Sequence, residues 1–98
     1  MMELNTNNFD SAIAKGKVLV DFYADWCSSC KAISPIIDGI EAERKDITVG
    51  KVNVDGNPQL ASRFGVMSIP TLIVFEDGVQ VKRNVGSISK AKLNEWIG

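Results

Sequence analysis

A strand–helix–strand unit in the first half of the sequence restricts the possible folds most strongly. Lys17–Tyr23 is a nearly continuous run of β-branched and aromatic residues, which is typical of a central strand covered on both faces. Isoleucines then recur at helical spacing from Cys27 to about residue 45, and residues 47–54 form a second β-branched run. A connection of this length predicts that the two strands run parallel and are joined by a right-handed crossover helix.

Further segments are predicted to complete the sheet and the helices around it. They are a short helix over residues 7–15, a short helix that begins at Pro58, strands over residues 71–76 and 79–85, and a final helix capped by Ser89. Asp77-Gly78 predicts a hairpin turn between the last two strands. We therefore expect one α/β domain over residues 1–98, with a mixed sheet of four to five strands and helices on both faces.

Charge and composition exclude several classes of function. Eleven basic and twelve acidic residues give a net charge of -1, and no basic stripe indicates a nucleic acid or a membrane surface as partner. The chain has no histidine, so a histidine general base, a Cys–His or Ser–His pair and a histidine metal site cannot be built from it. The longest apolar runs are too short to span a bilayer, and the first residues lack the features of a signal peptide, so we expect a cytoplasmic protein.

The two cysteines, Cys27 and Cys30, lie where the first long strand ends and the long helix begins. At this spacing they can approach the separation that a disulfide requires. Unpaired N–H groups at the helix N-terminus favour a thiolate at Cys27. The position predicts that Cys27 attacks disulfides and that Cys30, one turn further in and more buried, resolves the mixed disulfide.

A metal site, haem attachment and a structural disulfide are alternative roles for this cysteine pair. A zinc site or an iron–sulfur cluster would need ligands from a second chain, because this chain supplies only two cysteines. Haem attachment would need a histidine after Cys30, where the sequence has Lys31. A purely structural disulfide would close a very small loop and would constrain the unfolded chain little.

Segments spread over nearly the whole sequence match the pattern of one known family in order and spacing. They are residues 18–27 with the first cysteine, Lys31 and Pro35 in the following helix, and residues 51–55, 69–71, 77–78 and 85–86. In these segments the chain resembles the thioredoxin family. The resemblance implies the thioredoxin fold and the activity of a dithiol electron carrier that reduces protein disulfides.

The resemblance also gives roles to residues that the pattern alone leaves ambiguous. Asp21 lies in an apolar strand and is either a satisfied structural aspartate or a functional one. The family places this carboxylate beneath the cysteines, where a raised pKa lets it handle the proton of Cys30. Lys51 would approach it from the neighbouring strand, although a surface position would also explain a lysine there. Pro70 would follow a cis peptide bond that faces the disulfide, instead of merely beginning a strand.

The family resemblance further implies a shallow apolar surface around Cys27 that binds an extended client. Trp26 could also belong to the core, but its place beside an exposed cysteine favours this surface. No cofactor or metal would be bound by the chain itself, and NADPH and FAD would act only through a thioredoxin reductase. The expected partners of the monomer are this reductase and disulfide-bearing clients, in electron transport and cell redox homeostasis. The residues assigned to the surface are Trp26, Met67, Ser68, Ile69, Pro70, Val85 and Gly86.

Ser28 and Ser29 replace the Gly-Pro pair that is usual between the cysteines of this family. A serine hydroxyl, and the backbone N–H that proline lacks, can donate to a nearby thiolate. Both would stabilise the reduced state, which predicts a weaker reductant than the usual family member. An oxidase, an isomerase or a dedicated reductant for one client therefore stays open, as does a redox-gated binding module without turnover.

Overall fold

A five-stranded mixed sheet forms the centre of the protein in a computed structural model that describes all 98 residues. The strands are β1 (Met2–Leu4), β2 (Lys17–Tyr23), β3 (Ile47–Asn53), β4 (Thr71–Glu76) and β5 (Val79–Val85). The helices are α1 (Phe9–Ile13), α2 (Ser28–Glu43), α3 (Pro58–Arg63) and α4 (Lys90–Ile97). The strand order is β1-β3-β2-β4-β5, in which β1, β3 and β2 run parallel while β4 and β5 run antiparallel to their neighbours. No helix is both long enough and apolar enough to cross a membrane.

The predicted fold class is confirmed, and most of the predicted elements appear at the expected positions. The bounds of β2, β4 and β5 agree with the sequence prediction, and Cys27 serves as the N-cap of α2. At the hairpin turn, Asp77 and Gly78 both have positive φ angles, of 50° and 87°. Positive φ at both central residues is what a two-residue hairpin with the twist of its strands requires.

The edge strand β1 was not predicted from the sequence. It has only three residues, of which Leu4 alone is buried, so it shows no alternating pattern. Leu4 packs directly on Gly50 of β3, and a Cβ atom at Gly50 would lie 2.7 Å from the Leu4 Cδ1 atom. The close approach of β1 therefore explains why a strand as buried as β3 contains a glycine.

Two hydrophobic clusters cover the two faces of the sheet. Side chains of β2 alternate between them, because successive residues of a strand point to opposite faces. The cluster beside α1 and α3 consists of Leu4, Phe9, Ile13, Val18, Val20, Phe22, Val52, Leu60, Ile73 and Phe75. The cluster beside α2 and α4 consists of Leu19, Ile33, Ile37, Ile40, Val49, Leu72, Val74, Leu93 and Ile97. Asp21, two residues after Leu19, falls on the α2 face near the carboxyl end of β2.

Candidate active site

The two cysteines lie at the start of α2, directly above the end of the central strand β2. Cys27 has extended backbone angles (φ -91°, ψ 109°) and caps the helix, and its Sγ accepts a hydrogen bond from the Cys30 backbone N–H at 3.2 Å. The two residues form a disulfide with their Cα atoms 5.2 Å apart, a separation common for such bonds. The local geometry therefore suits a pair that alternates between disulfide and dithiol.

Burial differs little between the two sulfur-bearing residues. Cys27 is 6% exposed and Cys30 is 3% exposed, and both pack with Ala24 and the half-buried Ile69. The expectation that Cys27 is exposed is therefore wrong, and exposure alone distinguishes the two cysteines only weakly. The hydrogen bonding distinguishes them better, because only Cys27 Sγ receives a backbone N–H of the first helical turn, at the positive end of the helix dipole.

The two serines between the cysteines differ in their contacts. Ser29 Oγ lies 3.3 Å from Cys27 Sγ, and since a disulfide sulfur carries no hydrogen, the hydroxyl is the donor. Ser28 makes no hydrogen bond to either sulfur. A hydroxyl that donates to a thiolate forms a charge-assisted bond, which is stronger than its neutral counterpart. The structure thus gives Ser29, and not Ser28, direct contact with the sulfur of Cys27.

Asp21 is a buried carboxylic acid beneath the cysteine pair. The residue is 2% exposed, and its Oδ1 has no hydrogen-bond partner in the protein. Burial penalises the charged carboxylate and raises the pKa of Asp21 to about 7, against an opposing effect of the Lys51 ammonium. A cavity of about 180 Å³ is lined by Asp21, Cys30 and Lys51, among others, and brings the acid and the second cysteine to a common space.

Lys51 lies beside Asp21 on β3 but is paired with a different carboxylate. The sheet register places Lys51 opposite Asp21 on one side and opposite Glu3 on the other. The Lys51 Nζ lies 3.8 Å from a carboxylate oxygen of Glu3, and 5.3 Å from the centre of the Tyr23 ring. Glu3 was not singled out from the sequence, because its strand gives no pattern.

The loop before β4 and the end of β5 come together beside Cys27. The Ile69–Pro70 peptide bond is cis, and the Ile69 carbonyl oxygen lies 3.9 Å from Cys27 Sγ. The Gly86 backbone N–H donates to the Pro70 carbonyl at 2.8 Å, so both segments border the same region. Val85, next to Gly86, is 57% exposed.

The remaining surface residues flank this loop or the cysteines. Met67 is 96% exposed and Ser68 is also exposed, so neither is needed for the core. Trp26 is 71% exposed, and its indole N–H donates to the carboxylate of Asp55 at 2.8 Å. This bond orients the exposed ring, and Asp55 was not identified from the sequence as part of the site. No cluster of three or more Cys, Asp or Glu side chains is arranged to hold a metal ion.

Comparison with known proteins decides the family. The family model described as Thioredoxin matches residues 1–98. The chain belongs to the thioredoxin family. It is 48% identical to the thioredoxin of Chlamydia caviae over 94 residues, which cover 96% of this chain and 92% of that protein. It is 54% identical to the thioredoxin of Mycobacterium tuberculosis over 77 residues, which cover 78% of this chain and 66% of the relative.

A solved structure agrees with this family assignment. A mutant thioredoxin from Halobacterium salinarum NRC-1 superposes with a TM-score of 0.91 at 38% identity, covering 98% of this chain and 86% of that one. Thioredoxin-family membership and the Cys27–Cys30 disulfide make the chain a thiol–disulfide oxidoreductase that acts on protein disulfides. The family resemblance and the activity predicted from the sequence are therefore confirmed. Thioredoxins in general work without a bound cofactor.

Proposed function

We propose that this thioredoxin-family protein reduces client disulfides in two exchange steps, with Cys27 as the nucleophile and Cys30 as the resolving thiol. In the first step, the Cys27 thiolate attacks a client disulfide, forms a mixed disulfide and releases one client thiolate. In the second, Cys30 attacks Cys27 Sγ, closes the Cys27–Cys30 disulfide and releases the second client thiolate. The observation that carries this order is the hydrogen bond from the Cys30 backbone N–H to Cys27 Sγ, which favours the thiolate at Cys27.

The proposed role of Asp21 is to accept the proton of the Cys30 thiol during the second step. A group with a pKa near the working pH is the most effective proton acceptor, and burial raises the pKa of Asp21 to about 7. The shared cavity supports this assignment, because it is lined by both Asp21 and Cys30. In this scheme, Lys51 adjusts how readily Asp21 gives up its proton.

Clients are proposed to bind over the apolar surface beside Cys27. The exposed side chains of Trp26, Met67 and Val85 offer apolar area, and the Ile69 carbonyl stands next to the reacting sulfur. Ser68, Pro70 and Gly86 complete the border of this surface through the loop and the end of β5. An extended client strand could pair with backbone at this place, as extended peptides do at accessible backbone edges.

The contact between Ser29 and Cys27 supports a weaker reductant than thioredoxins with Gly-Pro between the cysteines. A donor to the thiolate stabilises the dithiol state, and the Ser29 hydroxyl lies within reach of Cys27 Sγ.

We further propose a flavin- and NADPH-dependent thioredoxin reductase as the electron donor, by analogy with the family. We propose that the protein is a monomer with one domain over residues 1–98 and that it acts in the cytoplasm. There it would take part in electron transport and cell redox homeostasis.

Turnover of a protein disulfide tests the proposal without the reductase. Insulin reduction driven by dithiothreitol is followed by turbidity for the wild type, Cys27→Ser, Cys30→Ser and the control Ser28→Ala. We expect catalysis by the wild type and by the control, and background rates for both cysteine variants, because each exchange step needs its own sulfur. A cysteine variant that keeps the wild-type rate would contradict the proposed exchange.

A further inference from the structure

Three residues with ionisable side chains lie side by side across the sheet, and two of them, Asp21 and Lys51, line the cavity that Cys30 also lines. Register pairs Glu3 of β1 with Lys51 of β3, and Lys51 with Asp21 of β2. Adjacent strands lie about 4.8 Å apart, so the lysine stem rises between two carboxylates. The Lys51 ammonium group can therefore pair with the carboxylate of either Glu3 or Asp21.

The contacts show that Lys51 forms its ion pair with Glu3. Its Nζ lies 3.8 Å from a Glu3 oxygen, while the Asp21 Oδ1 has no hydrogen-bond partner. Glu3 also contacts Tyr23, whose hydroxyl donates to the two carboxylate oxygens of Glu3 at 3.1 and 3.2 Å. Burial, followed by the nearby Glu3, raises the pKa of Tyr23 to about 12, so the phenol remains a donor at neutral pH.

No other nearby group replaces Lys51 as the positive charge that acts on the Asp21 carboxyl group. The α-amino group of Met1 is engaged with Glu41 at 2.9 Å, and the β4 partner of Asp21 is the apolar Leu72. Lys51 is the one charge that lowers the pKa of Asp21, against the larger effect of burial. The remaining polar and ionisable groups that line the same cavity are Tyr23, Asp25, Cys30, Lys31 and Ser34.

We propose that Glu3 is a positioning residue for the resolving step: with the Tyr23 hydroxyl, it holds Lys51 away from Asp21, so that Asp21 remains a stronger base toward the Cys30 proton. The inference rests on the proposed role of Asp21. When the side chain at position 3 is neutral, Lys51 loses its partner and turns toward Asp21. An opposite charge close to a carboxylate stabilises the ionised form, so the pKa of Asp21 falls and the resolving step reaches its plateau at lower pH.

The two phases of the reaction with 5,5′-dithiobis(2-nitrobenzoate) separate attack from resolution. Reduced protein releases the first thionitrobenzoate when Cys27 attacks and the second when Cys30 closes the disulfide, and stopped-flow absorbance follows both from pH 5 to 9. We expect the midpoint of the second phase to fall by about half a pH unit or more in Glu3→Gln, since a nearby opposite charge lowers a carboxyl pKa by about 1–3 units at full contact. The matched control is Glu43→Gln, which removes a carboxylate paired with Lys90 at the far end of α2. Its midpoint should equal that of the wild type.

A double-mutant cycle with Lys51→Gln shows whether Glu3 acts through the lysine. In the Lys51→Gln background, Glu3→Gln should shift the midpoint by less than half as much as in the wild type. Equal shifts in both backgrounds, or no shift in either, would overturn the inference. Asp21→Asn completes the test: an unchanged second phase refutes the role of Asp21 and this inference together, whereas a slower second phase with an unshifted Glu3→Gln refutes this inference alone.

Discussion

Replacement of Asp21 by asparagine should stabilise the protein by an amount that grows with pH. The residue is 2% exposed, and its pKa is raised from 3.8 to about 7 by burial. Well below pH 3.8, the carboxyl is protonated in both the folded and the unfolded chain, so no penalty arises. As the pH rises toward 7, the unfolded chain loses its proton while the folded protein keeps it, and the free energy of unfolding falls. Asparagine does not titrate and avoids this loss.

The magnitude follows from the difference between the two pKa values. A difference of about 3 units at 1.36 kcal/mol per unit corresponds to about 4 kcal/mol once the folded protein is ionised. The difference in free energy of unfolding between Asp21→Asn and the wild type should therefore be about 4 kcal/mol larger at pH 8 than at pH 4. About half of this increase should be reached a little above pH 5. The buried amide has a desolvation cost of its own, but this cost does not vary with pH.

Urea denaturation of the oxidised proteins, followed by tryptophan fluorescence from pH 4 to 8, measures this difference. Oxidised protein is used so that the cysteines do not titrate. The matched control is Asp25→Asn, which removes an exposed carboxylate from the rim of the same cavity and should leave the pH dependence of the wild type unchanged. Stability curves of the wild type and Asp21→Asn that run parallel over this range would refute the assignment of a penalised, buried carboxylate.

Three further substitutions test other parts of the structure. Gly50→Ala should lower the free energy of unfolding by about 1–3 kcal/mol in urea, because its Cβ would lie 2.7 Å from Leu4 Cδ1; a neutral result would mean that β1 is displaced at little cost. Ser29→Ala should lower the reduction potential, measured in glutathione buffers, by about 15–30 mV, equivalent to about 0.7–1.4 kcal/mol, because it removes the hydroxyl beside Cys27 Sγ. Ser28→Ala should leave the potential unchanged, and equal shifts in the two variants would argue against the Ser29 contact. Ser89→Ala should cost about 1 kcal/mol in thermal or urea unfolding, because the Ser89 hydroxyl accepts the Lys92 backbone N–H at the start of α4, and an unchanged stability would show that this cap is dispensable.

The central part of the fold could be predicted because its segments carry strong and independent signals. Lys17–Tyr23 and Thr71–Glu76 are apolar enough to indicate strands without tertiary information, and Asp77-Gly78 indicates the turn that follows. β1 could not be predicted in this way, because three residues with one buried side chain carry no period. Its existence depends on pairing with β3, a contact between residues distant in sequence.

In the candidate site, too, the residues marked by local sequence features could be predicted, and those that depend on long-range contacts could not. Cys27 and Cys30 could be found from spacing and from their place at a helix start, since both features are local. The burial of Asp21 could not be decided from its strand alone, because it depends on how α2 covers that face of the sheet. The contacts of Glu3 with Lys51 and of Asp55 with Trp26 join distant segments, so neither acidic residue stood out in the sequence.

Trapping of the mixed disulfide shows which cysteine attacks the client disulfide and which one resolves the mixed disulfide. Reduced Cys30→Ser and Cys27→Ser are each incubated with a disulfide-bridged protein, quenched with acid, and analysed by mass spectrometry with peptide mapping. We expect Cys30→Ser to accumulate a covalent adduct through Cys27, because attack proceeds and resolution cannot, while Cys27→Ser accumulates little. An adduct that forms through Cys30 in Cys27→Ser as fast as through Cys27 in Cys30→Ser would contradict the assignment of Cys27 as the nucleophile.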